Sequence, residues 1–145
     1  MKVGEAMTRD VRIVSPEQTI REAAQEMARI DAGVLPVGEN DRLVGMITDR
    51  DIAVRAVAEG KSPDVKVRDV MSGQVLYCYE NDDLDDVAKN MGEMKVRRMP
   101  VLDRDKRLVG ILSLGDVALN DKPKSTAQAL AHISEHGGKH SQSAH

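Results

Sequence analysis

The chain repeats itself. An offset of 64 places Met7 on Met71, Ile20 on Leu84, Ala24 on Ala88, Met27 on Met91, Pro36 on Pro100 and Val37 on Val101. One extra residue in the second copy, near Asp103 to Lys106, moves the offset to 65. Leu43-Val44-Gly45 then meets Leu108-Val109-Gly110, Thr48 meets Ser113, and Asp51 meets Asp116. The two copies account for residues 4–120. A unit of about 50–60 residues buries only a modest core alone, so the copies are expected to pack together. The simplest packing of two similar units is about a pseudo-twofold axis. The expected organisation is a first repeat over residues 1–62, a second over 63–120, and a tail over 121–145, with the polar stretch around Pro63 as linker.

Each copy alternates strand and helix patterns, giving an α/β chain of two β-α-β-β-α units. Val11 to Val14 is a short β-rich run. Ser15-Pro16-Glu17-Gln18 reads as a helix start, with Ser15 as cap, Pro16 in the first turn and Gln18 closing a capping box. Ile20, Ala23, Ala24, Met27 and Ala28 share one helical face, and Asp31-Ala32-Gly33 ends it. Val34 to Val37 and Leu43 to Ile47 read as strands around the polar turn Glu39-Asn40-Asp41. A second helix is expected from Asp49 to Ala58, stopped by Gly60. The second copy repeats this order: a strand over Val75 to Tyr77, a helix over Leu84 to Met94, strands over Met99 to Leu102 and Leu108 to Leu112, and a helix from Leu114. In the tail, Ser125 to His136 has a helical pattern stopped by Gly137-Gly138, with a disordered end expected beyond.

Composition removes several functions. Lys and Arg total 21 against 24 Asp and Glu, a net charge of −3, which is poor for binding nucleic-acid phosphates. Tyr77 and Tyr79 are the only aromatics, so no stacking platform for single strands is built. The one cysteine, Cys78, allows neither an internal disulfide nor a thiolate zinc cluster, and reads as a half-buried strand residue. No apolar run approaches the roughly 20 residues that span a bilayer, and no signal-peptide pattern opens the chain, so the expected location is cytoplasmic.

The motif that can carry chemistry is Gly45-Met-Ile-Thr48-Asp-Arg-Asp51, matched by Gly110-Ile-Leu-Ser113-Leu-Gly-Asp116. Both copies sit where a strand passes into a helix. Ser/Thr-x-x-Asp is a capping pattern, and capping alone can explain one copy. The same geometry also suits a nucleotide. Free N–H groups and a hydroxyl favour a phosphate, and a carboxylate one turn on offers two acceptors to the paired hydroxyls of a ribose.

The sequence resembles tandem CBS-domain proteins, in which two repeats form a Bateman module. The residues carrying the resemblance are Ala6-Met7 and Val70-Met71 at the repeat starts, Val34-Leu35-Pro36-Val37 and Arg98-Met99-Pro100-Val101 in mid-repeat, and the two Gly…Thr/Ser-x-x-Asp endings. The resemblance implies clefts between the repeats that bind AMP, ADP or ATP, in some members NAD or S-adenosylmethionine. It implies that Asp51 and Asp116 hold ribose and that Thr48 and Ser113 contact sugar or phosphate. Adenine would lie beside Gly33-Val34-Leu35-Pro36 and Arg97-Arg98-Met99-Pro100. Met46 and Ile111 would line the base pocket, read through strand backbone groups, with Val11, Ile13 and Val75 closing it. The resemblance also implies a homodimer and signalling through an effector protein that the sequence does not identify.

Other residues are read more plainly. Arg97 and Arg98 stand either as phosphate counter-charge or as a solvated strand edge, and Arg50, in the helix start, is a further candidate for the phosphate role. Asp82, Asp83, Asp85 and Asp86 complement a helix start rather than form a metal site. His132, His136 and His140 share a four-residue spacing, but Gly137-Gly138 interrupts them, and no metal site is assigned. Met7, Met27, Met71, Met91 and Met99 are expected in the core. Every histidine lies in the tail, so neither a Ser–His nor a Cys–His pair forms within the repeats, and no enzyme activity or catalytic cofactor is assigned. The expected function is a regulatory sensor of adenine nucleotides; the alternative is a structural homodimerisation module with vestigial sites.

Overall fold

A computed structural model describes residues 1–120 and 123–134. The described chain divides into two compact units that do not follow the repeat boundaries. The first-repeat unit comprises Arg12–Val75 together with Lys106–Leu108. The second-repeat unit comprises Met1–Val11, Leu76–Asp105 and the chain from Val109 on. The opening segment of each repeat is therefore counted with the other repeat's body.

In the first-repeat unit, helix α2 (Ile20–Ile30) precedes strands β1 (Val34–Glu39) and β2 (Arg42–Thr48), which pair antiparallel with Val34 opposite Thr48. The turn between them holds Asn40 and Asp41 at φ 54° and 63°, the left-handed conformation that tight hairpins demand. Helix α3 (Asp49–Ile52) follows β2 without a break and continues as five residues of π-helix, Ala53–Val57. The expected strand over Val11 to Val14 is reduced to one bridge, Val14 beside Val37. The core gathers Val14, Ile20, Ala23, Met27, Leu35, Val37, Ile47 and Ala56 around Val67 and Val70, which open the second repeat.

The helix start differs from expectation. Thr19, not Ser15, caps α2, in a reciprocal box with Glu22. The hydrogen bonds to Thr19 and Gln18 hold the Glu22 carboxyl below its ordinary range. Ser15 and Gln18 do exchange a bond, Ser15 N–H donating to Gln18 Oε1 at 2.8 Å, but as a separate turn. The cause is local: the carbonyls of Pro16 and Gln18 accept from Arg68 N–H (3.0 Å) and Val67 N–H (2.8 Å), so they are not available to a helical ladder.

The second-repeat unit holds α1 (Val3–Ala6), β3 (Cys78–Tyr79), α4 (Leu84–Met94), β4 (Arg98–Leu102), β5 (Leu108–Ser113, from Val109 on), α5 (Leu114–Asn120) and α6 (Pro123–Ile133). Its sheet runs β3-β4-β5, with Cys78 parallel to Val101. The strand expected over Val75 to Tyr77 is thus displaced to Cys78–Tyr79. Val3, Ala6 and Met7 join Leu84, Val87, Ala88, Met91, Met99, Val101, Leu112 and Val117 in one core. Helices α2 and α4 end alike, with the equivalent Asp31 and Lys95 at φ 55° and 58°.

The two helices differ on their outer faces. Ala24 and Ala28 are exposed on α2, against the expectation that they share its apolar face, whereas their counterparts Ala88 and Gly92 are buried. Gly92 lies under α6, where an added Cβ would come within 2.9 Å of Ala129 Cα. Only Gly permits that approach. The end of the expected tail helix at His136, its stop at Gly137-Gly138, and His140 all lie outside the described residues. Of the methionines expected inside, Met7, Met27, Met91 and Met99 are buried, while Met71 is partly buried against its core.

Methionine and glycine fit together at the same place in both units. A Cβ at Gly110 would meet Met7 Sδ at 2.5 Å and Thr8 O at 2.9 Å; one at Gly45 would meet Met71 Sδ at 2.7 Å and Ser72 O at 2.8 Å. A side chain can swing away, but the carbonyls are fixed by bonds between Thr8 and Ile111 and between Ser72 and Met46. Gly110→Ala is expected to cost about 1–3 kcal/mol in urea unfolding through overpacking. Gly73, with nothing within 4 Å of its Cβ position, is the control. Equal stabilities for the two alanine variants would contradict this packing.

Cys78 is buried at 4% exposure, deeper than the half-buried position expected. Burial, with Asp82 second, raises its pKa from 9.0 to about 12. At pH 8 the native thiol should resist iodoacetamide and react only after urea unfolding. A folded pKa above the unfolded one gives stability present below pH 9 and lost as pH climbs toward 12. Rapid alkylation of folded protein would refute the buried placement.

Candidate functional site

Each unit closes its strand-to-helix junction with the same pair of bonds. Thr48 N–H donates to Asp51 Oδ2 at 2.9 Å, and Asp51 N–H donates to Thr48 Oγ1 at 2.9 Å. Ser113 N–H donates to Asp116 Oδ2 at 3.0 Å, and Asp116 N–H donates to Ser113 Oγ at 3.1 Å. Both motifs are capping boxes, as their spacing permits. The bonds leave Asp51 Oδ1, Asp116 Oδ1 and both hydroxyl protons without partners among the described residues. Each junction therefore keeps one anionic acceptor and one hydroxyl donor for something else.

The strands bring other expected residues to the same end. Side chains alternate along a strand, so Met46 and Thr48 share the half-exposed face of β2 while Ile47 is buried. Ile111 and Ser113 do the same on β5, with Leu112 buried. Asp49 N–H donates to Gly33 O at 2.9 Å, and Leu114 N–H to Arg97 O at 3.0 Å, tying the start of each mid-repeat strand to its junction. Gly33 and Val34 are half-buried, and Arg97 and Arg98 are exposed. Arg50 is exposed as well.

Other expected residues lie deeper. Leu35 and Met99 belong to the cores, and Pro36 and Pro100 are buried. The backbone groups of Met46 and Ile111 are taken: Met46 exchanges both bonds with Ser72, and Ile111 exchanges both with Thr8. The N–H groups of these two residues are therefore taken, while each carbonyl keeps a second lone pair. Val11 falls in the second-repeat unit and Val75 in the first-repeat unit. Ile13 is 45% exposed and lies against Gly38, which pairs with Leu43 at the end of the hairpin away from Val34 and Thr48. Asp83 caps α4 by accepting from Asp86 N–H at 3.2 Å, and Asp82 accepts from Tyr79 N–H at 2.9 Å.

One further candidate was not singled out from the sequence. The offset that pairs Met7 with Met71 also pairs Ile13 with Tyr77, which is 43% exposed and meets Tyr79 edge-to-face at 5.6 Å. A large apolar side chain left open at the same place in both repeats is the signal that should have found it.

Residues 3–57 and 67–120 each match the family model of the CBS domain. The chain belongs to the CBS-domain family. It is 42% identical over 133 residues to the CBS domain-containing protein YhcV of Bacillus subtilis, covering 91% of this chain and 94% of that one. The CBS domain pair of protein MJ0100, solved in complex with 5′-methylthioadenosine and S-adenosyl-L-methionine, superimposes with a TM-score of 0.73 at 28% identity, covering 82% of this chain and 94% of that one. CBSX2, solved in complex with AMP, gives 0.71 at 28% identity, covering 81% and 93%. Among the described residues no helix of the CBS pair is long and apolar enough to cross a membrane.

The capping role alone sets a stability cost. Thr48→Ala and Ser113→Ala are each expected to lose about 0.5–2 kcal/mol in chemical denaturation. Asp51→Asn keeps an acceptor oxygen for Thr48 N–H and should lose less than Asp51→Ala. Alanine variants as stable as the parent would show that the boxes do not form.

Proposed function

We propose that this CBS pair is a non-catalytic regulatory module that binds an adenine nucleotide, AMP, ADP or ATP, with NAD as a further candidate, at the hydroxyl–carboxylate pair of each repeat. The observation that carries the reading is the duplicated junction, with its unpartnered carboxylate oxygen and hydroxyl proton. Asp51 and Asp116 accept from the ribose hydroxyls. Thr48 and Ser113, already accepting a backbone N–H, donate to sugar or phosphate. Met46 and Ile111, beside Thr48 and Ser113 on their strands, give the base apolar contact, with Ile13 and Tyr77 as equivalent open apolar positions. The AMP and adenosyl complexes of the two structural neighbours support this class of ligand.

Regulation requires that the nucleotide bind two arrangements of the module unequally, because equal binding shifts nothing. The output passes to an effector protein or across a homodimer.

Thermal unfolding with AMP, ADP, ATP and NAD tests this. A ligand at 100 times its dissociation constant adds about 2.7 kcal/mol of stability. Asp51→Ala and Asp116→Ala should each weaken binding by about 1–3 kcal/mol at one site, and the double variant should abolish the stabilisation. Undiminished affinity in the double variant overturns the ribose assignment. A dimer that no adenine compound stabilises would favour the structural dimerisation module.

A further inference from the structure

The two junctions share their ribose-side chemistry but not their charge. In the first-repeat unit the carboxylate of Asp49 lies against Gly33: a Cβ there would meet Asp49 Oδ2 at 2.8 Å. In the second-repeat unit the equivalent pair is Leu114 and Arg97, tied by the same backbone bond at 3.0 Å. The neighbours follow suit, with Val34 and Arg50 in the first set replaced by Arg98 and Gly115 in the second. Asp49 and Arg50 cancel in the first set, while Arg97 and Arg98 add in the second. Both arginines are exposed and make no ion pair or hydrogen bond through the side chain among the described residues. Ile13 and Tyr77, equivalent in the repeat and both partly open, are uncharged, so they do not separate the two sets by charge. The difference falls beside Thr48 and Ser113, where the 5′ end of an anchored nucleoside would emerge.

We propose that the two sites select on the charge of the 5′ substituent. The set around Ser113 and Asp116 takes an adenosine carrying phosphate, held by Arg97 and Arg98. The set around Thr48 and Asp51 takes an adenosyl group without negative charge, because the Asp49 carboxylate repels phosphate. This inference rests on the nucleotide reading above and adds the ligand class of each site. Guanidinium forks suit phosphate oxygens, and a carboxylate beside the same position disfavours them.

Calorimetric titration with AMP and with 5′-methylthioadenosine, an uncharged thioether, tests it in the full chain. Asp51→Ala isolates the second set and Asp116→Ala the first. The ratio of AMP to thioether affinity should be about tenfold higher in Asp51→Ala than in Asp116→Ala. Adding Arg97→Gly to Asp51→Ala should lower that ratio about tenfold, whereas Arg97→Lys should largely preserve it. Adding Asp49→Asn to Asp116→Ala should raise it. Rising salt should compress the difference, which a purely structural role would not do. Equal ratios in the two single-set proteins, or an Arg97→Gly change that weakens both compounds alike, overturns the charge selection and leaves the nucleotide reading intact. Failure of both compounds to bind the unsubstituted protein overturns both.

Discussion

A strand that runs straight into a helix leaves the first helical N–H groups without partners, and water or side chains must satisfy them. Here one hydroxyl and one carboxylate, three residues apart, do so by exchanging two backbone bonds. That exchange fixes where β2 stops and α3 begins, and β5 and α5 meet by the same rule. Two of the three side-chain oxygens in such a pair accept a backbone bond locally in each copy, and the third oxygen and the hydroxyl proton remain. On the proposed reading, cap and binding group are different atoms of the same two side chains. A variant that loses stability and affinity together is therefore expected from the geometry, and only conservative changes separate the two contributions.

The repeat made the element order legible. Helix α4, the hairpin β1–β2 and the two junctions follow from periodicity, turn residues and capping spacing within one copy. What escaped was set by partners distant in sequence. Ser15 to Gln18 has the composition of a helix start, yet its carbonyls are claimed by Val67 and Arg68. Val75 to Tyr77 has β-forming residues, but the strand begins three residues later, at Cys78 beside Val101. Ala24 and Ala88 are identical in type and aligned in the repeat, and differ in burial because α6 lies on α4. Tyr77 was legible from the offset alone. The use of the Met46 and Ile111 N–H groups was not, since it depends on Ser72 and Thr8.

The assignment of the opening segments has an energetic logic. The first-repeat core includes Val67 and Val70, and the second includes Val3, Ala6 and Met7. A repeat removed from its neighbour would keep its junction but lose part of its core, since each buried aliphatic side chain contributes about 1.5–3 kcal/mol. The methionines at the ends of these segments sit over glycines in the facing strands, where a Cβ has no room. The constraint that makes Gly45 and Gly110 match is thus close approach, not turn formation, since neither has positive φ.

Duplication explains why two junctions exist, and the same duplication makes their divergence interpretable. Positions under a shared constraint kept equivalent chemistry: hydroxyl with carboxylate, glycine under methionine, and a left-handed helix end at Asp31 and Lys95. Positions 33, 34, 49 and 50 changed to 97, 98, 114 and 115, and none of these side chains is a core member. Leu114 does pack partly against its core, so its exchange for Asp49 alters both packing and charge. Arg97 has no such packing role, and its exposed charge has no internal counterpart among the described residues. A change that buys no stability in the folded chain and sits one bond from a junction is best understood by what that junction meets from outside.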